Sequence, residues 1–126
     1  MVKKIKIYKS FSIKKVHKKS IILIGNFDGL HIGHQKLFIE ANKYKKRKKL
    51  KIGVITFNPI PKMFFNPMRK NYRISNFDEK VEFLKKFNVN FIINKKFDKK
   101  FSKIKYFEFI KNILFKKINP KFIFVS

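Results

Sequence analysis

Two alternating periods of hydrophobicity constrain this chain more than any other feature. Ile21-Ile22-Leu23-Ile24 is a continuous apolar run that stops at Gly25, as a strand buried on both faces does. From His34 to about Lys46 the period changes, and Leu37, Ala41 and Tyr44 recur at helical spacing. Ile52 to Phe57 reads as a second strand, ended by Asn58-Pro59-Ile60-Pro61. Ser75 and Asn76 stand before Asp78 and Glu79 at the spacing of a capping box, and Phe77, Val81, Leu84 and Phe87 then share one helical face. Val89 to Ile93 gives a third strand. Ser102 opens a further helical stretch with Phe107, Ile110, Leu114 and Ile118 in phase, and Lys121 to Val125 gives a fourth strand. Residues 1–19 form a mixed lead-in, read as a short strand with a basic turn. The order β-α-β-α-β-α-β predicts an α/β fold with a parallel sheet, right-handed crossovers and flanking helices. Ligands of such sheets bind at the carboxyl ends of the strands, and the first of those ends is Gly25.

At 126 residues the chain has the size of one domain, with no internal repeat and no Gly/Ser/Pro-rich linker. It contains no cysteine, which excludes disulfides and thiolate metal sites. Met1-Val2-Lys3-Lys4-Ile5-Lys6-Ile7 alternates charge with hydrophobe and is a poor signal peptide. No apolar run approaches the roughly 20 residues that span a bilayer, so the expectation is a cytoplasmic chain with no membrane partner. The net charge of +26 would attract anions of any kind. Yet Lys (30), Ile (19), Phe (17) and Asn (11) together supply 77 of the 126 residues, the bias an AT-rich coding sequence produces. Only three of the 33 basic residues are Arg, the side chain that grips phosphate bidentately. Solvated lysine faces therefore explain the charge better than a nucleic-acid partner does.

Gly25-Asn26-Phe27-Asp28-Gly29-Leu30-His31-Ile32-Gly33-His34 occupies the first strand-to-helix junction. Glycine lets backbone approach a phosphate closely, and a helix N-terminus offers free N–H groups at its positive end. His31 and His34, three apart, fall on one side of a forming helical turn. Together with Asp28 they could also ligate zinc. Zinc enzymes usually space such histidines four apart around a carboxylate, and here Ile32 and Gly33 intervene. His17, in the lysine-rich lead-in, reads as incidental. Thr56 to Pro61, taken alone, reads as a plain turn ending a strand.

The segment from Gly25 to Gln35 resembles the HxGH signature of the nucleotidyltransferases in the form found in bacterial FAD synthetases. Thr56-Phe57-Asn58-Pro59-Ile60-Pro61, the helix near Ser75 with Lys80 in it, and Phe97-Asp98 extend the likeness to nearly the whole chain from Ser20. The resemblance implies a Rossmann-like fold and transfer of AMP from ATP to FMN, giving FAD and pyrophosphate. It implies His31 and His34 as catalytic residues and Gly25, Asn26, Phe27, Asp28, Gly29 and Gly33, with the two histidines, as the ATP site. It places Thr56, Phe57, Asn58, Pro59 and Pro61 at the flavin. Mg2+ would accompany ATP, bridging phosphate oxygens through few protein ligands. Phe64 and Phe65 could stack on the flavin ring, but among 17 Phe core packing is the stronger expectation. A cytidylyltransferase with the same HxGH signature is the alternative enzyme, and a non-catalytic basic nucleic-acid-binding protein is the alternative outside enzymes. The chain departs from the family at Ile60, where His is usual. It also departs at Ser126, before the family's Gly/Asp/Phe-rich loop, Ile-Ser-Ser-Thr-type loop and riboflavin kinase domain. The expectation is one partial domain over residues 1–126, incomplete at its C-terminus, weak in catalysis alone and open to a second chain that supplies the missing segments.

Overall fold

In the computed structural model, which describes residues 4–27, 32–58, 65 and 77–126, the alternating periods become alternating elements. They are β1 (Lys6–Tyr8), a 3-10 turn (Lys15–His17), β2 (Ile21–Ile24), α1 (Ile32–Lys48), β3 (Ile52–Asn58), α2 (Phe77–Lys86) and β4 (Phe91–Lys96). A one-turn helix α3 (Lys99–Ser102) follows. Then comes α4 (Tyr106–Glu108), continuing as a more widely wound π-type helix over Phe109–Ile118, and β5 (Phe122–Val125). The five strands form one wholly parallel sheet in the order β1-β4-β3-β2-β5. The lead-in strand thus joins the sheet at an edge, making five strands and not the four of the alternating pattern.

Burial on both faces explains the unbroken apolar runs. Side chains alternate across a strand, so Leu23, Val54 and Ile92 enter one core with Phe38 and Ala41 of α1 and Leu84 of α2. Ile22, Ile55, Phe91 and Ile93 enter the other, with Phe11, Ile13, Leu114 and Ile118. Each such side chain stabilises by about 1.5–3 kcal/mol, which opposes roughly 1–2 kcal/mol of backbone entropy per ordered residue. A sheet covered on both sides is how a chain this small accumulates enough burial.

Two expectations need correction on the second face. Ser102 does not open the last long helix. It ends α3, whose N-cap is Asp98, with Oδ1 accepting the Phe101 N–H at 2.8 Å. Phe107 and Ile110 are exposed, and the face that packs is Phe109, Ile113, Leu114 and Ile118. A phase of 3.6 residues fails here because the π-type winding takes more residues per turn; it closes with Asn119 N–H donating to Leu114 O at 2.6 Å. The capping positions Ser75 and Asn76 lie outside the described residues, and α2 carries Asp78 and Glu79 in its first turn as expected.

Candidate functional site

The carboxyl edge of the sheet is built first at the end of β2. Gly25 N–H donates to Ile55 O at 3.1 Å, and Ser126 N–H donates to Ile24 O at 2.9 Å, so strands on both sides hold the turn. A Cβ on Gly25 would stand 2.8 Å from Ser126 Cβ and 3.1 Å from the Phe27 ring. Only a residue without a side chain fits without displacing a neighbour. Phe27 itself adopts φ 52°, a left-handed conformation that costs an L-residue on the order of 1–2 kcal/mol. The compensation is visible: its ring is 1% exposed and meets Phe38 edge-on at 5.1 Å. It also meets His34, with ring centroids 5.2 Å apart and planes at 72°.

The buried phenyl ring therefore sets where the imidazole sits. His34 lies in the first turn of α1, half-buried with Nδ1 inside. That first turn holds no acidic side chain to oppose the positive end of the helix dipole. Gly33 belongs to the same turn, and Asn26 is half-buried beside Phe27. Asp28, Gly29 and His31 lie outside the described residues, as do Pro59 and Pro61.

The end of β3 adds a feature that the sequence reading left without a role. Thr56 is fully buried on the face shared with Ile52 and Val54, and its Oγ1 accepts from Lys80 Nζ at 3.3 Å. Lys80 is 4% exposed. Lysine is almost never so buried, because desolvating an ammonium is costly, and such groups concentrate at functional sites. β2 and β3 are neighbours with Ile24 paired to Ile55, so this cation lies one strand away from the His34 turn. A signal was present: Lys80 is four residues before buried Leu84 and interrupts the apolar face of α2.

Phe57 points the other way. Its ring meets Phe97 at 5.8 Å and Phe101 at 5.5 Å, within the opposite layer. Thr56 and Phe57 are therefore separated by the sheet itself, as consecutive strand residues must be. Asn58 ends the strand, its carbonyl accepting the Phe97 N–H at 3.1 Å. Asn58 also lines a cavity of about 400 Å³ with Lys9, Asn94 and Lys96. These three partners, from the ends of β1 and β4, were not singled out in the sequence. Core packing does not hold for Phe65, which is 68% exposed with its ring 5.9 Å from Phe97; Phe64 lies outside the described residues. Among the described residues, no three His, Asp or Glu side chains form a group able to hold a metal ion.

A family model described as FAD synthetase matches residues 13–126. A bifunctional riboflavin kinase/FMN adenylyltransferase from Buchnera aphidicola subsp. Schizaphis graminum is 36% identical over 115 residues, 91% of this chain and 37% of its own. Its counterpart from Escherichia coli K12 is 30% identical, over 84% of this chain and 34% of its own. The chain thus spans a little over a third of the curated relatives it matches. A solved structure described as a macrolide-efflux protein from Streptococcus pneumoniae superposes with a TM-score of 0.75 at 34% identity, covering 86% of this chain and 42% of that one. No helix among the described residues is long and apolar enough to cross a membrane.

Proposed function

The chain belongs to the FAD synthetase family, and from that premise we propose that its carboxyl-edge site binds ATP and FMN for adenylyl transfer. An oxygen of the FMN phosphate attacks the α-phosphorus of ATP. The new P–O bond gives FAD, and the bond to the β-phosphate oxygen breaks to release pyrophosphate. A phosphate monoester has its second pKa near 6, so at neutral pH the nucleophile is already charged and needs no general base. What the site must supply is alignment of two anions and positive charge for the reacting phosphates.

The chain's own residues match those needs. Gly25 and Phe27 shape a turn against which the nucleotide lies, with Asn26 as a polar contact; the family likeness adds Gly29 to that turn, Asp28 as a second polar contact, and Gly33. His34, and His31 beside it in sequence, donate to phosphate oxygens in front of the α1 N-terminus. Lys80 supplies a desolvated cation one strand away, where low dielectric strengthens its pull. FMN lies toward the ends of β3 and β4, with Asn58 on its path and Lys9 and Lys96 facing its phosphate; Thr56, Phe57, Pro59 and Pro61 belong to this site only by the family likeness, since Thr56 and Phe57 face opposite sides of the sheet. Magnesium would arrive on the ATP phosphates, neutralising their oxygens and completing its shell with water. The proposed setting is the cytoplasm.

The observation that carries this reading is the His34 ring fixed edge-on to a buried, left-handed Phe27 at the start of α1. Calorimetric titration with ATP and magnesium tests it. Wild type should bind with one site, and His34→Ala should weaken binding while leaving the fold intact. In a preparation that makes FAD, His34→Ala should lower turnover more than it raises the Michaelis constant. Equal ATP affinity in wild type and variant would remove the site, and tighter binding of CTP than of ATP would favour the cytidylyltransferase.

A further inference from the structure

At the opposite edge of the sheet, β1, the 3-10 turn and the residues leading into β3 and β4 enclose a second cleft of about 570 Å³. It lies roughly 20 Å from the carboxyl edge, the length of a seven-residue strand. We propose that this cleft is a binding site for a multiply charged oligophosphate, with pyrophosphate as its smallest occupant.

The lining carries the argument. Lys4, Lys6, Lys14 and Lys51 line the cleft with His17 and Asn90, and among the described residues no carboxylate lines it. Two lysines elsewhere on the surface have an acidic neighbour, Lys43 beside Glu40 and Lys85 beside Glu82, both at 3.3 Å. Asn90 does not supply the missing negative end, because its Oδ1 already accepts from Lys45 Nζ at 2.6 Å and from Ile52 N–H at 2.9 Å. Lys51 is half-buried at the start of β3 and is not a freely solvated side chain. The surrounding titratable groups register the uncompensated field. His17 is held below its usual pKa by burial first, then by Lys51, Lys14 and Lys6, and Lys45 is lowered by burial and then Lys51.

The chemistry of the lining selects the class of ligand. The His17 ring is stacked on Phe91, with centroids 4.4 Å apart, and its Nδ1 is bonded to the Tyr8 hydroxyl at 2.6 Å. One face of the only aromatic ring among the described lining residues is thus taken by Phe91, whereas single-stranded nucleic-acid sites rely on several aromatic rings on which successive bases stack. Several lysine point charges without an arginine fork suit a compact, geometry-tolerant polyanion. The volume suits a small molecule and not a polymer groove.

His17 reports on the site from within it. In NMR titrations of the whole chain, pyrophosphate at about 0.15 M salt should shift the His17 ring resonances with saturation and raise its pKa to 6.5 or above. Inorganic triphosphate and ATP should act likewise through the shared phosphates, and adenosine should not. The double variant Lys14→Gln/Lys51→Gln should lose at least about tenfold in affinity, a single factor in the binding constant. His34→Ala should leave the His17 response unchanged, so failure here and failure of the adenylyl-transfer site are told apart. The proposal is overturned by a His17 signal indifferent to pyrophosphate, by an equal response to sodium chloride of matched ionic strength, or by wild-type affinity in the double variant. Tighter, salt-labile displacement by an oligonucleotide would overturn it in favour of a nucleic-acid backbone.

Discussion

Gly53→Ala is the substitution for which the structure and simple propensity give opposite answers. In a strand interior alanine ordinarily gains about 0.5–1 kcal/mol over glycine. Here Gly53 is paired in register with Phe91 of β4, whose ring lies across it. An ideal Cβ at position 53 would stand 2.6 Å from Phe91 Cε1 and closer still to Cζ and Cε2, where carbon atoms normally rest at about 3.5–4.0 Å. The ring has no room to retreat: it is fully buried, backed by His17 at 4.4 Å and edged by Tyr8 at 6.0 Å. Overpacking a tight core costs about 1–3 kcal/mol, and displacing a buried phenyl ring forfeits a similar amount of burial. The net expectation is a loss of about 2–4 kcal/mol, large against a typical stability of about 5–15 kcal/mol. Urea unfolding should show a lower midpoint with an unchanged slope. Shortening the ring in Gly53→Ala/Phe91→Leu should recover at least about 1 kcal/mol relative to the sum of the single changes. A Gly53→Ala chain as stable as wild type, or single changes that simply add, would refute the reasoning.

Further expected outcomes concern the other contacts. Lys80→Met should lower FAD-forming turnover by about a hundredfold while unfolding stays cooperative; unchanged turnover with only a stability loss would make Lys80 structural. Because folding holds the His17 pKa below its ordinary 6.5, the unfolded chain binds more protons, so stability from this site is full above 6.5 and falls as pH drops below it. Thermal melts between pH 8 and 5 should show that fall, and His17→Gln should flatten it; a melt that rises on acidification contradicts the sign. Asp98→Ala should cost about 1 kcal/mol by uncapping α3, read as a lower urea midpoint, and an unmoved midpoint would mean that the 2.8 Å bond to Phe101 N–H contributes nothing.

Much of this was legible in the sequence because it is local. The run Ile21–Ile24 closing at Gly25 announces a two-sided strand, and the structure pairs it on both edges, with β3 and β5. Helical phase located the apolar faces of both helices, Leu37, Ala41 and Tyr44 within α1 and Phe77, Val81 and Leu84 within α2. What was not legible depends on partners far along the chain. Lys80 was placed in its helix by the family likeness, but its burial was not foreseen, because that depends on Thr56, 24 residues earlier, receiving its ammonium. The amino-edge cleft gathers Lys4, Lys14, Lys51 and Asn90 from four separate segments. The last long helix misled a 3.6-residue count because its winding changes within the element, and no local propensity marks that change.

The distribution of glycine connects composition to site. Only four glycines are present, and three of them fall between residues 25 and 33. Helix ends, where glycine is usually the favoured residue in a left-handed conformation, are closed here by others: Lys49 after α1, Asn88 after α2 and Asn119 after the π-type segment, with φ of 55°, 62° and 51°. Asn88 adds a side-chain bond to Asn42 Oδ1 at 3.0 Å, and Asn42 Nδ2 in turn donates to Phe87 O at 2.9 Å. Those bonds tie the middle of α1 to the turn between α2 and β4. Asparagine and lysine thus take the left-handed conformation at these helix ends. Glycine stands where a Cβ has no space, at Gly53 against Phe91 and at Gly25 against Ser126 and Phe27. Composition alone does not place a glycine at position 25 in a chain this poor in glycine. At Gly25 the cause is the neighbouring chain itself, because Ser126 and the Phe27 ring leave no room for a side chain.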